Sequence, residues 1–224
     1  KQFLHCVTLN YAKEHIKESK SILDSSLDIG LSSTSRLHEL FVNLIGVTPK
    51  EWKEKGKDVQ ITYGFGETPF GEALIGFTDK GICYLGFIDD NKTEIFNRFN
   101  ELWENANLVH NETAANEYLE NIFVKNKKYN LFVKGTNLQV NVWKALLNLP
   151  NGIVATYQDI ANYLDKPKAV RAIASAIGRN HVGYLIPCHR VIAKSGAMSG
   201  YRWGIERKKI LIAYESVKEN NQNQ

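Results

Sequence analysis

Apolar positions near the start of the chain recur at helical spacing. Leu9, Ala12 and Ile16 stand three and four apart, Ile22, Leu23 and Leu27 mark a shorter second helix, and Gly30 is its stop. Ser32 or Ser33 caps a third helix whose stripe is Leu37, Leu40, Phe41 and Leu44, with Gly46 and Pro49 ending it. The period then changes. Residues 59–65, 72–77 and 82–87 favour strands, separated by Thr68-Pro69, Gly71 and the turn Thr78-Asp79-Lys80-Gly81. Helical spacing returns over 94–103 and 115–123, with a loop expected across 105–111.

From Thr136 the pattern is helical again. Thr136 caps a helix carrying Val140, Trp143, Leu146 and Leu147 that ends near Leu149-Pro150, and Thr156 caps a short helix with Ile160, Ala161 and Leu164. Pro167 starts a third that runs to Gly178, completing a helix-turn-helix pattern. Its faces are small, with Ala169, Ala172, Ala174, Ala176 and Gly178, and Arg171 is the long basic side chain near its start. Gly200-Tyr201-Arg202-Trp203-Gly204 is too glycine-rich for a helix, a last helix leads through Ile212 to Glu215, and a polar tail from Lys218 is expected to fray. The chain is therefore expected to be a multidomain α/β protein in three parts. These are a helical module (1–55), a small α/β domain with its connector (59–134) and a mainly helical domain containing the helix-turn-helix (135–219).

With 224 residues, 43% of them hydrophobic, the larger parts can each bury a core. A formal charge of +4 and an isoelectric point near 8.8 permit a DNA partner without requiring one. Cys6, Cys83 and Cys188 are odd in number and far apart, which excludes a disulfide framework and a four-thiolate zinc site; no metal or cofactor is expected. Cys83 lies in an apolar run and reads as core, and His110 reads as surface. No apolar stretch reaches the length of a membrane span and residues 1–15 lack the apolar middle of a secretory signal, so a cytoplasmic address and no membrane partner are expected.

The chemistry is concentrated in Leu185-Ile186-Pro187-Cys188-His189-Arg190-Val191-Ile192. Proline restricts the residue before it and removes a donor, which sets Cys188 on a defined bend. A thiol beside imidazole and guanidinium is expected to have its thiolate favoured by positive charge, which makes Cys188 the candidate nucleophile. A buried, inert thiol beside a solvated basic pair is the alternative.

The run from Asn180 through Pro187-Cys188-His189-Arg190-Val191, then Gly196, Gly200-Tyr201, Gly204, Lys208 or Lys209 and Glu215, resembles the active region of the O6-alkylguanine-DNA alkyltransferases. Gly135-Thr136, Gln139, Val142-Trp143, Pro150, Gly152, Tyr157, Ile160-Ala161 and Arg171-Ala172 fit that family in the same order, so the resemblance covers about residues 59 to 216. Upstream, Gly30 to Leu37, Phe41, Gly46 to Pro49 and Trp52 resemble an AraC-type DNA-binding signature, of which one unit is recognisable. The order of the two is similar to that of the Ada-type adaptive-response proteins without their zinc domain, whose phosphotriester-repair role the lone Cys6 cannot carry.

The resemblance implies a ribonuclease-H-like sheet for the α/β domain and an active domain that repairs duplex DNA in a single turnover. Cys188 is the implied alkyl acceptor, His189 the base reached through a water, Glu215 the group that orients the imidazole, and Asn180 a hinge between the reactive turn and the DNA-reading helix. Tyr157 is implied to crowd the phosphate 3' of the target nucleotide and to protonate guanine N3, while Arg171 fills the gap left by the extruded base and Ala169 and Ala172 lie against the minor groove. Ser33, Thr34 and Arg36 are implied to read DNA from the first module. Tyr201, Val191, Gly183 and Trp203 are expected around the base pocket. Double-stranded alkylated DNA is the expected partner, and no obligate protein partner is expected. Two other classes remain open on the residues: a DNA-binding regulator with Cys188 as its signalling thiol, and a cysteine hydrolase.

Overall fold

The computed structural model describes residues 44–46, 56–89, 91–198 and 200–222. Its strands are β1 (Leu44–Gly46), β2 (Gln60–Gly66), β3 (Ala73–Thr78), β4 (Gly81–Phe87), β5 (Asn107–His110), β6 (Leu131–Val133), β7 (Ala155–Thr156) and β8 (Val191–Ile192). Its helices are α1 (Lys92–Leu102), α2 (Glu112–Phe123), α3 (Asn137–Leu147), α4 (Tyr157–Tyr163), α5 (Val170–Gly178) and α6 (Ile205–Gln222). Six strands form one sheet in the order β1-β6-β4-β3-β2-β5. Strands β2, β3 and β4 make an antiparallel meander, while β5 joins β2 and β6 joins β4 in parallel.

Alternation along β2 puts α1 and α2 on opposite faces of this sheet. Tyr63 meets Phe99 of α1 at 5.6 Å between ring centroids. At the next residue a Cβ would stand only 2.7 Å from Ala115 of α2, so Gly64 is what lets that helix lie close. With both faces covered, β3 is buried along its whole length. One apolar core runs from Ile61 and Leu74 in the sheet through Val142, Trp143 and Ile160 to Leu211 in the last helix.

The segment leading to Cys188 is fastened to the sheet by the backbone. Leu85 N donates to His181 O at 3.0 Å and Gly183 N donates to Leu85 O at 2.7 Å, a parallel bridge that continues the edge of β4 beyond β6. Arg207 of α6 adds a second fastening, donating to Phe70 O at 2.9 Å and Ile88 O at 3.1 Å.

Several elements differ from the sequence expectation. Leu44, expected on a helical stripe, is in β1, which pairs in parallel with β6 from Leu44–Leu131 to Gly46–Val133. The rest of the expected helical module, with Ser33, Thr34, Arg36 and Cys6, lies outside the described residues. The loop expected at 105–111 contains β5, a short and mostly exposed edge strand whose polar sequence hides it. Helix α5 starts at Val170, not Pro167: Asp165 takes φ of 55° and Ala169 N closes a turn on Lys166 O at 2.9 Å, which leaves Pro167 before the first turn. Helix α6 continues through the expected frayed tail to Gln222.

Candidate active site

Three local structures bring the site together. The first is the turn Cys188–Arg190, one turn of 3-10 helix after Pro187, with Cys188 N donating back to Ile186 O at 2.7 Å. The second is the two-stranded ladder in which Ala155 pairs with Val191 and Thr156 with Ile192, so that the residue after β7, Tyr157, begins α4 beside the reactive turn. A reciprocal cap of Thr156 and Asp159 fixes that helix start. The third is α6, whose inner stripe is Lys208, Leu211 and Glu215, three and then four residues apart.

Cys188 is 5% exposed. Its Sγ accepts a hydrogen bond from Asn180 Nδ2 at 3.1 Å, and the same amide donates to Val182 O and Ile186 O at 3.1 Å while Asn180 Oδ1 accepts from Val182 N at 2.9 Å. Asn180 follows the last residue capping α5, so one buried side chain ties the end of that helix, the backbone of the reactive segment and the sulfur.

His189 is fully buried, with Nε2 at 2.9 Å from Glu215 Oε1. A carboxylate only accepts, so the imidazole proton belongs on Nε2 and Nδ1 carries the free lone pair. That Nδ1 has no hydrogen-bond partner among the described residues, and none joins it directly to Cys188. Arg190 completes the network by donating from Nε to Glu215 Oε2 and from Nη2 to Oε1, both at 2.8 Å. Its remaining donors go to Leu149 O at 2.7 Å, Pro150 O at 3.2 Å and Asn151 Oδ1 at 2.6 Å. Arg190 is thus a buried clamp between α6 and the end of α3, and its fork is fully occupied.

This geometry corrects the expectation of a favoured thiolate. Burial pushes the Cys188 thiol up to about 11, and the Asn180 hydrogen bond with the charges of Lys208 and Arg202 offsets only part of that. Arg190, two residues on in sequence, spends its charge on Glu215. Burial also holds His189 below the ordinary imidazole range, although Glu215 opposes this. The resting pair at neutral pH is a thiol and a neutral imidazole. Burial raises the Glu215 carboxyl, but His189 and Arg190 outweigh it and hold the group at about 2.

Among the remaining expected residues, Tyr157 is half-buried, and its phenol is raised first by burial and then by Cys188 nearby. Tyr201 sets its ring edge-on to His189 at 6.4 Å, and its buried hydroxyl has no partner among the described residues. The other residues expected around the pocket, Trp203, Gly183 and Val191, are buried. Trp203 is 1% exposed, a Cβ on the buried Gly183 would meet its ring at 3.0 Å, and Val191 is fully buried. On α5, Arg171, Ala172, Ser175, Gly178 and Arg179 are exposed, whereas Ala169 is half-buried against the core.

Three contributors were missed or left open by sequence reasoning. Of the adjacent lysines, Lys208 is the buried one, donating to Val191 O at 2.6 Å, while Lys209 pairs on the surface with Glu206. The seven-residue spacing from Lys208 to Glu215 was the available signal. His181 is buried against Trp143, and Arg202 reaches from the Tyr201 loop to α5. Nothing in the sequence pattern marks either. Among the described residues no group of three or more His, Cys, Asp or Glu stands where it could hold a metal, and no helix is long and apolar enough to cross a membrane.

Comparison with known proteins returns the same region. The family described as 6-O-methylguanine DNA methyltransferase, DNA binding domain, matches residues 137–217. The chain is 30% identical over 213 residues to the bifunctional transcriptional activator/DNA repair enzyme Ada of Escherichia coli, across 92% of this chain and 60% of that one. It therefore spans about 60% of the length of that relative. It is 37% identical over 147 residues to the inducible methylated-DNA–protein-cysteine methyltransferase of Bacillus subtilis, across 63% of this chain and 82% of the relative. Among solved structures, Mycobacterium tuberculosis OGT in complex with DNA superposes with a TM-score of 0.57 at 28% identity, covering 70% of this chain and 94% of the other.

Proposed function

The chain belongs to the methylated-DNA–protein-cysteine methyltransferase family, and from that membership together with the site we propose that it repairs O6-alkylguanine in duplex DNA, each molecule moving one alkyl group to Cys188. The observation that carries this reading is the tie from Cys188 Sγ through Asn180 to the end of α5, a helix whose outward face is small and basic. A Cβ at Gly178 would meet nothing within 4 Å, so packing inside the protein does not require glycine there, and close approach to a groove is consistent with it.

The reaction follows from what each group can hold. The O6 substituent lies on a base edge that a thiol behind the protein surface cannot reach in a stacked duplex, so the nucleotide must be rotated out. Arg171, exposed near the start of α5, fills the space it leaves, and Tyr157 crowds the backbone beside it. In the pocket the Cys188 thiol gives its proton to His189 Nδ1 through a water, and Glu215 offsets the charge on the resulting imidazolium. The sulfur forms a bond to the alkyl carbon as the bond from that carbon to O6 breaks. The electron pair passes to guanine, which takes a proton at N3 from Tyr157, and the phenolate so formed recovers a proton from the imidazolium. Guanine and S-alkylcysteine are the products. Tyr201, whose hydroxyl has no partner among the described residues and whose ring lies edge-on to His189, is the wall that the base meets.

The rest of the architecture fits this reading. A meander followed by a helix and a strand parallel to the first strand supports a ribonuclease-H-like assignment for residues 59–134, with residues 135–219 as the reactive and DNA-reading domain. A reaction on chromosomal DNA through a reduced thiol fits the cytoplasm.

Intact-protein mass after incubation with an O6-methylguanine duplex tests the proposal. One methyl group per molecule, mapped to Cys188, is the expected result, and repeated turnover or an adduct on Cys83 would sink it. A regulatory role beside repair is favoured by one observation, that the 213-residue alignment to Ada is long enough to include residues before Gly56. Promoter binding that changes on methylation of the protein is its test.

A further inference from the structure

We propose that Arg202 is a positioning residue that fixes the offset between the DNA-reading helix and the wall of the base pocket. The proposal rests on the repair reading above, in which α5 lies against duplex DNA and Cys188 takes the alkyl group. The last carbonyls of a helix have no partner within it and must find one elsewhere. In α5 two of them are taken by side chains from other elements. Ala176 O accepts from Trp143 Nε1 of α3 at 3.0 Å, and Gly178 O accepts from both Nε and Nη2 of Arg202 at 3.2 and 3.0 Å. A guanidinium at this end of a helix also meets the negative pole of its dipole.

The position of Arg202 gives that contact a function beyond capping. It stands between Tyr201, whose ring lies edge-on to His189, and Trp203, which is seated on Gly183 and Phe87. Gly200 and Gly204 bracket this segment at φ of 61° and 86°. Tyr201 and Trp203 are held inward, while Arg202 is exposed, so its side chain contributes little to the core and spends its donors on α5. Asn180 fastens the same helix end to the thiol. Trp143 holds that end against α3, and neither contact joins α5 to the pocket wall. Arg202 makes that join, so the helix that carries the duplex and the wall that receives the base keep one separation. A flipped nucleotide remains attached to the duplex and must arrive at that separation, whereas a free base has no such constraint.

The test compares Arg202→Met, which keeps the stem and removes every donor, with Arg202→Lys, which keeps a charge and a single donor nitrogen. Single-turnover methyl transfer is measured at saturating O6-methylguanine duplex and with free O6-methylguanine. Arg202→Met is expected to slow the duplex reaction about tenfold, the weight of a charge-assisted hydrogen-bond pair. The Arg202 charge also favours the Cys188 thiolate, so transfer from the free base should slow as well, by a smaller factor common to both substrates, and the extra loss on the duplex is the part assigned to positioning. Arg202→Lys should fall between the two. Equal losses on both substrates would overturn the proposal in favour of pocket chemistry or stability. A loss that vanishes at saturating duplex, with a shallower salt dependence of binding, would reduce Arg202 to a phosphate contact. Failure of the unsubstituted protein to take methyl from either substrate would overturn the repair reading, and this inference with it.

Discussion

Replacing Glu215 by Gln changes the site by one charge and almost no volume, so stability and chemistry can be read separately. The carboxylate accepts from His189 Nε2 at 2.9 Å and from Arg190 Nε and Nη2 at 2.8 Å, and its folded-state value of about 2 compares with an ordinary 4.5. That difference corresponds to about 3 kcal/mol in favour of the ionised form. Because the folded value is depressed, this stabilisation is present above pH 4.5 and is lost as pH falls through about 2. At neutral pH the Gln variant forfeits it and turns an amide donor towards Arg190, so the melting temperature should fall by roughly 10 °C for a chain of this size. The amide oxygen still accepts the His189 proton, which keeps the ring in place. It no longer balances the imidazolium formed when the thiol proton moves, and transfer should slow by about a hundredfold. Single-turnover transfer at saturating duplex, run well below the variant's melting temperature, is compared with DNA binding by titration. Binding should change by less than about twofold, the margin of a change that touches no DNA contact. A destabilised variant with an unchanged transfer rate would make Glu215 a structural clamp only, and losses of equal size in binding and transfer would point to misfolding of the reactive turn.

Cys188→Ser should bind alkylated duplex and accept no alkyl group, since a hydroxyl is a far weaker nucleophile here; peptide mapping that found the adduct on another residue would refute the assignment. Arg171→Ala should slow transfer at saturating duplex by about tenfold or more while leaving free-base transfer nearly unchanged, and full recovery at saturating duplex would leave Arg171 as a backbone contact. The transfer rate should be level across neutral pH and decline only on acidification below the ordinary imidazole range, because His189 is depressed and Cys188 lies near 11; an inflection near pH 8.5 would mean that a free thiolate is the resting nucleophile. His181, lowered by burial to about 3, stays neutral in the folded protein while the unfolded chain protonates, so its stabilisation is full above pH 6.5 and lost as pH falls through about 3. His181→Asn should flatten that part of the melting-temperature profile, and an unchanged slope would assign the acid sensitivity elsewhere.

What could be read from the sequence follows the strength of local pattern. Strands β2, β3 and β4 were legible because two turns separate apolar or alternating runs, and α3 and α4 because Thr136 and Thr156 each sit three residues before a capping partner. Strand β5 was not, because Asn107, Leu108, Val109 and His110 form an edge that stays largely in solvent and carries little hydrophobic signal. Pro167 is a sound helix-start signal that here belongs to the preceding turn, since Asp165 in the left-handed region delays the helix by three residues. The candidate residues stand in one short string, but their electrostatics do not. Arg190 is two residues from Cys188, yet its guanidinium is bound to Leu149, Pro150, Asn151 and Glu215, all distant in sequence. Lys208 and Arg202, which do favour the thiolate, come from the other end of the domain.

Burial and activation act in opposite directions on the same sulfur, and their balance bears on why one molecule should act once. A thiol near 11 is almost entirely protonated at neutral pH, which protects it from adventitious oxidation and alkylation. The proton can leave only when a reaction takes up the developing charge. At that moment Asn180 Nδ2, at 3.1 Å, donates to an anionic sulfur and its hydrogen bond becomes charge-assisted, while His189 Nδ1 holds the proton and Glu215 balances the imidazolium charge. Asn180 and the imidazolium stabilise a negative sulfur, and Glu215 stabilises the imidazolium. The thioether that forms is neutral, and its carbon–sulfur bond breaks only to a nucleophile strong enough to expel a thiolate. Guanine is a weaker nucleophile than the thiolate that displaced it, so in the proposed reaction the alkyl group stays on sulfur and each molecule is expected to act once.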